Sequence, residues 1–182
     1  MALLRITDVI ECQTKWGKAI THVSKQYLNK QDFVAAASDA LSELYAYDCD
    51  EVLFKPTKAN TIRFRPTKQG ALSYFVGCQN VSDGFVEDNG FAINGGNCWA
   101  DVAFDNHKIY LNGNTAIAMG LYHFVCATTK ETTTVEYTIG YRRYKDGNVR
   151  IFLHHSSLPF TNTITCTESF SDAYSDTYSD LS

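Results

Sequence analysis

Two histidines and two serines follow one another near the end of this 182-residue chain, as His154, His155, Ser156 and Ser157. They close a segment with the pattern of a β-strand. Side chains alternate across a strand, so His155 and Ser157 share one face while His154 and Ser156 share the other. Whichever pair faces the concave side of a curved sheet could hold a small polar molecule by an imidazole and a hydroxyl. A polar strand end that satisfies its own backbone is the alternative interpretation.

Three further polar side chains could join such a pair. His123 lies in another predicted strand, Tyr74 lies on a short predicted helix, and Thr57 follows Pro56 in an early extended segment. An imidazole and several hydroxyls that converge could bind a planar species with three oxygen atoms. Each residue also has an ordinary structural interpretation, as a core histidine, a buried tyrosine or a turn cap.

The histidines do not show the spacing of a metal site. Adjacent strand residues point apart, so His154 and His155 cannot bind one ion without a bulge. The six cysteines include no C-x-x-C pair, and the chain contains no H-x-H or H-E-x-x-H motif. A zinc site built from His107, His123 and His155 would lack any spacing signal. The sequence therefore predicts a site without a metal or other cofactor.

Composition and charge exclude several classes of function. Hydrophobic residues make up 45% of the chain, which is typical of a globular protein. The net charge is −4 and the largest basic cluster is Arg142-Arg143, so no nucleic-acid partner is expected. No apolar run approaches the roughly 20 residues that a membrane span requires. Arg5 and Asp8 interrupt the apolar start of the chain, which makes it a poor signal peptide.

The elements that must position these side chains are helices first and strands later. Apolar periodicity predicts helices over 16–28, 33–45 and 69–76, and extended segments over 53–57 and 61–65. Alternating or β-branched stretches predict strands over 99–105, 108–111, 115–127, 133–144 and 149–157, with hairpin signals at Asn112-Gly113 and Asp146-Gly147. This order favours an α+β fold, in which a cone-shaped, curved antiparallel sheet wraps around N-terminal helices. The concave side of such a sheet is a natural pocket.

Residues 1–160 form the single predicted domain, and residues 161–182 differ in character. The second segment is acidic and poor in aliphatic side chains, and Ser-Asp recurs in it at 171, 175 and 179. We interpret it as a flexible tail or an interdomain linker.

Five segments together resemble one protein family. They are the stretches at 54–57, 64–67, 70–77 and 135–138 and the H-H-S-S-L-P ending at 154–159. From about Trp16 to Pro159 the chain resembles the association (hub) domain of calcium/calmodulin-dependent kinase II, a nuclear-transport-factor-like or SnoaL-like cone. It resembles more closely the stand-alone relatives of that domain, the iota-class carbonic anhydrases.

The resemblance implies reversible hydration of CO2 to bicarbonate. Some members of the family are metal-free, while a diatom-type branch is associated with manganese. The pocket positions of the family correspond to Thr57, Tyr74, His155 and Ser157, which we expect to be catalytic. Thr57, Tyr74 and Ser157 are also expected to bind the substrate, together with His123.

The expected mechanism is general-base catalysis by His155. A water molecule held by Thr57, Tyr74 and Ser157 would lose a proton to the imidazole as it attacks CO2. An unperturbed imidazole has a pKa of about 6.5, which suits this role.

Two other functions remain open on the sequence. A non-catalytic oligomerisation (hub) domain is one, although this chain has histidines at two positions where hubs carry arginines. A small-molecule isomerase or hydrolase of the same cone is the other, and it would use a pocket carboxylate such as Asp101 or Glu136.

The expected partners are CO2, bicarbonate and a second copy of the chain. A homodimer could form through the outer face of the sheet, to which we assign Ile109, Tyr110 and Ile151. The resemblance implies an algal plastid or, alternatively, a bacterial cytoplasm.

Overall fold

The computed structural model describes residues 2–160, and the acidic segment 161–182 lies outside this part of the chain. The helices are α1 (Ile6–Leu28), α2 (Phe33–Leu44) and α3 (Lys68–Val76), and short 3-10 segments lie at Cys78–Asn80 and Phe91–Gly96. The strands are β1 (Leu53–Lys55), β2 (Trp99–Asn112), β3 (Thr115–Cys126), β4 (Thr132–Arg143) and β5 (Val149–Ser157). Helices precede the long strands, as the sequence predicts.

All five strands form one curved sheet in the order β1-β5-β4-β3-β2. Strands β2 to β5 are an antiparallel meander, which confirms the predicted α+β fold. Strand β1 adds a parallel partner to β5, and places Phe54 opposite His154 and Lys55 opposite His155. The early segment that leads to Thr57 is thereby held against the strand that carries the histidine pair.

A bulge joins two predicted strands into one. The register between β2 and β3 shifts between Asn106 and Lys108, so the segments expected at 99–105 and 108–111 form the single strand β2. Gly120 of β3 faces this bulge, and a Cβ atom there would lie 2.1 Å from the carbonyl oxygen of Asp105. Only glycine allows the two backbones to approach this closely.

Helix ends follow simple capping rules. The side chain of Thr67 accepts a hydrogen bond from the amide of Gly70 at 3.1 Å, as expected for the start of α3. Helix α1 begins earlier than the apolar stripe predicts, because Asp8 accepts from the amide of Arg5 at 2.8 Å and caps the first turn. No helix in residues 2–160 is long and apolar enough to cross a bilayer.

Helix α1 lies on the concave side of the sheet and forms the core with it. Trp16 of α1 is 2% exposed, stacks on Tyr122 of β3 and meets Phe124 edge-on. Strand residues that alternate with these point to the convex side. The position of α1 therefore decides which residue of each pair in the sheet is interior.

Candidate active site

Strand β5 directs His154 and Ser156 into the interior. These side chains are 2% and 4% exposed, whereas His155 is exposed and Ser157 is half-buried. Ile139 and Tyr137 of β4 lie directly opposite His154 and Ser156, and both are buried. The alternation of the two pairs is as predicted, but the expected orientation of His155 and Ser157 is corrected: they lie on the convex face.

The convex face also holds His123. Its Nδ1 atom lies 3.0 Å from the hydroxyl of Thr134, and the hydroxyl of Ser157 donates to Glu136 at 3.0 Å. His155 lies opposite Thr138 of β4, on the same side. These side chains lie on the convex face because α1 packs against the opposite, concave face of the sheet. Helix α1 covers the face of Tyr122 and leaves the face of His123 uncovered. Three of the five side chains expected to converge are therefore separated from Thr57 and Tyr74 by the sheet.

Tyr74 and Thr57 lie on the concave side. The ring of Tyr74 is 5% exposed, stacks on Phe91 and meets Phe54 of β1 edge-on. Its hydroxyl lies 3.5 Å from the amide nitrogen of Lys58, the residue after Thr57. Helix α3 and the segment after β1 thus bring these two predicted site residues together.

Tyr122 completes the cluster and was not predicted. Its hydroxyl interacts with the side chains of Ser156 and Thr57, and its ring is 2% exposed. Burial raises the pKa values of Tyr122 and Tyr74 well above the ordinary value. Both phenols therefore stay protonated at neutral pH and can donate hydrogen bonds to an anion.

His154 is held by a second set of aromatic groups. Its Nδ1 atom lies 2.7 Å from the hydroxyl of Tyr45, which also accepts a hydrogen bond from Nε1 of Trp16 at 2.9 Å. The imidazole stacks on Phe54 with ring centroids 5.0 Å apart. Its Nε2 atom is buried and has no hydrogen-bond partner within residues 2–160. Burial lowers the pKa of His154 to about 3, so the ring is neutral at neutral pH.

A buried ion pair fixes the segment and the helix that carry Thr57 and Tyr74. The guanidinium of Arg65 donates to Asp88 at 2.8 Å, and both side chains are fully buried. The second oxygen of Asp88 accepts from Ser73, the neighbour of Tyr74, at 2.7 Å. The amide of Arg65 donates to the carbonyl of Phe54 at 2.8 Å. One carboxylate therefore connects β1, the segment after it and α3.

The site consists of hydroxyl and imidazole groups. The carboxylates considered for an isomerase, Asp101 and Glu136, are exposed, and Glu136 lies on the convex side with Ser157. Asp88 is buried but is paired with Arg65. Within the described residues, no group of three or more His, Cys, Asp or Glu side chains could hold a metal ion. The arrangement can donate several hydrogen bonds to the oxygens of a small anion.

Comparisons with known proteins agree on one family. The model of the family "Metal-independent carbonic anhydrase" matches residues 7–158. A metal-independent carbonic anhydrase of Nostoc sp. is 39% identical over 159 residues, which cover 85% of this chain and 73% of the relative. A crystal structure of the iota-carbonic anhydrase from a cyanobacterium, complexed with bicarbonate, is 35% identical with a TM-score of 0.81, and the match covers 88% of this chain and 95% of that one.

A more distant structure supports the fold alone. An NTF2-like protein from Cytophaga hutchinsonii is 16% identical with a TM-score of 0.52, and the match covers 86% of this chain and 100% of that one. The expected nuclear-transport-factor-like cone is confirmed. On the family model and the two relatives above 30% identity, the chain belongs to the metal-independent carbonic anhydrase family.

Proposed function

We propose that this chain hydrates CO2 reversibly to bicarbonate at the interior cluster of Thr57, Tyr74, Tyr122, His154 and Ser156. Family membership supports the reaction. The observation that supports this location is the hydroxyl of Tyr122, which interacts with the side chains of both Ser156 of β5 and Thr57 of the segment after β1. The solved relative was crystallised with bicarbonate, a planar anion whose three oxygens suit such a set of donors.

Electrostatic stabilisation of the developing bicarbonate is the main contribution of the cluster. As water attacks the carbon of CO2, a C–O bond forms and negative charge moves onto the former CO2 oxygens. The phenols of Tyr74 and Tyr122 and a neutral His154 donate hydrogen bonds to that charge in a water-poor interior. Fixed donors of this kind are typically worth about 10²–10³-fold each in rate.

The proton lost by water leaves through hydroxyl groups. The low pKa of His154 does not suit general-base catalysis, the role that we expected of His155. A serine or threonine hydroxyl can accept one proton while it donates its own, so it stays neutral. In this mechanism Ser156 and Thr57 pass the proton towards solvent, and the reverse sequence protonates and dehydrates bicarbonate.

Aromatic side chains provide the apolar surface that CO2 needs. Phe91 stacks on Tyr74 with ring centroids 5.4 Å apart and meets Phe124 edge-on. Phe54 lies between the imidazole of His154 and the ring of Tyr74. Such walls accept an uncharged linear molecule and exclude bulk water.

A stopped-flow assay with a pH indicator tests the proposal directly. Purified protein should accelerate acidification of a CO2 solution and, in the other direction, alkalinisation of a bicarbonate solution. The uncatalysed rate in both directions would refute the proposed activity.

We also propose a homodimer through the convex face of the sheet. Tyr110 lies opposite Ile117, and these residues are 62% and 38% exposed, while Met119 beside them is 53% exposed. An exposed apolar patch on a sheet face is typical of a protein interface. The residues expected there are partly corrected, because Ile151 is 1% exposed and Ile109 packs against the core.

Light scattering coupled to size-exclusion chromatography tests the dimer. The wild-type chain should elute with twice the monomer mass, and Met119→Glu should shift the mass towards the monomer. A wild-type monomer at micromolar concentration would contradict the proposal. An association-domain role and a plastid location stay predictions of the resemblance.

A further inference from the structure

Three buried side chains form a row of hydrogen bonds that ends at the candidate active site. Nε1 of Trp16 lies 2.9 Å from the hydroxyl oxygen of Tyr45, and that oxygen lies 2.7 Å from Nδ1 of His154. The three side chains are 2%, 1% and 2% exposed. The row connects α1, the residue after α2 and β5.

The chemistry of the three groups fixes the direction of both hydrogen bonds. An indole N–H can only donate, so the oxygen of Tyr45 accepts from Trp16. The hydroxyl of Tyr45 must then donate its own proton in a hydrogen bond to another acceptor. Within residues 2–160 the acceptor at hydrogen-bond distance from this hydroxyl is Nδ1 of His154. Tyr45 therefore donates to a bare Nδ1, and the proton of the neutral imidazole lies on Nε2.

The opposite tautomer would be costly. If Nδ1 carried the proton and donated to Tyr45, the phenolic proton would be buried without an acceptor. The Nε2 atom would at the same time be a buried acceptor without a donor within residues 2–160, so two buried polar atoms rather than one would lack a partner. The contacts of the imidazole with Phe54 and Tyr45, whose ring centroids lie 5.0 and 6.0 Å from its own, also oppose a ring flip.

We propose that Trp16 and Tyr45 are positioning residues that hold His154 in its Nε2–H tautomer, so that Nε2 donates a hydrogen bond to an oxygen of bound bicarbonate. The ligand contact rests on the proposed function, whereas the tautomer follows from the hydrogen bonds alone. Neither Trp16 nor Tyr45 touches the substrate in this proposal.

The unpaired N–H donor at Nε2 supports a ligand contact. This atom is buried and lacks a hydrogen-bond partner within the described residues, and the next inward side chain of the strand is Ser156. A buried donor without a partner destabilises the protein unless a ligand satisfies it. A bicarbonate oxygen carries negative charge and satisfies this donor better than the weakly basic oxygens of CO2. The Nε2–H tautomer therefore stabilises bound bicarbonate more than bound CO2.

Nuclear magnetic resonance of the full chain labelled with 15N-histidine tests the tautomer without any activity measurement. The resonances of His154 are assigned by their loss in His154→Gln. The wild-type spectrum should show a protonated Nε2 and an unprotonated Nδ1. Tyr45→Phe should give a mixture of tautomers, and Tyr141→Phe is the matched control, because that buried hydroxyl interacts with Gln13 of α1 and not with His154.

Bicarbonate titration and kinetics test the ligand contact. Added bicarbonate should shift the Nε2 signal of the wild-type chain. In Tyr45→Phe, kcat/KM for bicarbonate dehydration should fall about two- to tenfold, in step with the population of the Nε2–H form. Tyr141→Phe should retain wild-type kcat/KM.

The outcomes that would overturn the proposal are distinct. A wild-type His154 with its proton on Nδ1 would overturn the tautomer assignment, whether or not the variants fold. A wild-type tautomer ratio in folded Tyr45→Phe would overturn the positioning role, and an Nε2 signal unchanged by bicarbonate would overturn the ligand contact. An Nε2–H form in a wild-type chain that does not hydrate CO2 would support the tautomer and refute the proposed function.

Discussion

Ser157 donates a hydrogen bond to the carboxylate of Glu136 across 3.0 Å on the convex face of the sheet. The preceding residue, Ser156, lies 4% exposed on the opposite face and interacts with Tyr122. Two adjacent serines therefore occupy unrelated environments and form a matched pair for mutation.

Ser156→Ala should lower kcat/KM for CO2 hydration about 10- to 100-fold, because it removes a group that binds the developing anion and relays its proton. Ser157→Ala should stay within about twofold of the wild type, since it removes only an exposed hydrogen bond, and such bonds are worth little. Stopped-flow assays of both variants provide the measurement. Wild-type activity in Ser156→Ala, or a larger loss in Ser157→Ala, would contradict the assignment of the two faces.

The pair also shows why the sequence alone could not choose the site. The H-H-S-S motif offers one imidazole and one hydroxyl to each face, so alternation predicts the two pairs correctly but not which pair is interior. Which pair is interior depends on the packing of α1 against the sheet, and α1 is far from the motif in the sequence. Tyr122 was missed for a related reason: both faces of β3 are apolar in sequence, since Ile117 and Met119 share the face of His123 while Ala118 and Phe124 share that of Tyr122, so alternation does not show which face is buried.

Most of the helices and strands can be predicted from local sequence patterns. Helices and long strands follow from apolar periodicity, and Asn112-Gly113 and Asp146-Gly147 mark two of the three hairpins between the strands β2 to β5. The parallel pairing of Leu53 with Leu153 was not predicted. The sequence of a three-residue strand does not specify which distant strand it pairs with. The pairing of β1 with β5 nevertheless positions Thr57 at the candidate site.

The burial of His154 predicts how stability responds to pH. The unfolded imidazole takes up a proton near pH 6.5, whereas the folded one does so only at about pH 3. Between these values the unfolded state binds more protons, so the free energy of unfolding falls as pH falls. From pH 7 to pH 5 this group alone should remove roughly 2 kcal/mol.

Urea denaturation at both pH values measures this effect. His154→Gln lacks the titrating group, so its stability should fall less than that of the wild type over the same interval. Equal falls in the two proteins would show that His154 titrates normally in the folded state.

Removal of metal ions should leave the activity intact. The chain belongs to a metal-independent family, and its described residues contain no cluster of three or more metal-ligating side chains. After exhaustive chelation and dialysis, CO2 hydration should remain within error of the untreated protein. A loss of rate that manganese or zinc restores would contradict both the mechanism and the family assignment of metal independence.

The pair of Arg65 and Asp88 should be a major source of stability. Asp88→Ala leaves a fully buried guanidinium without its principal partner, which typically costs about 3–5 kcal/mol. Asp146→Ala is the control, because Asp146 is 46% exposed and its ion pair with Arg150 lies at the surface. That variant should lose less than about 1 kcal/mol.

Thermal and urea unfolding compare the two variants. Folded Asp88→Ala should also lose CO2 hydration, since Asp88 connects the elements that carry Thr57 and Tyr74. Similar stability of the two variants would remove the structural role assigned to the buried pair.

The offset parallel stack of Trp16 on Tyr122, with centroids 5.7 Å apart and planes 7° from parallel, has a consequence for fluorescence. Indole emission responds to the groups that surround the ring, and this ring contacts a phenol of the proposed site, donates to Tyr45 and contacts His154 edge-on. An anion that enters the interior changes the field at that indole. The emission of Trp16 should therefore report occupancy of the proposed site without any added label.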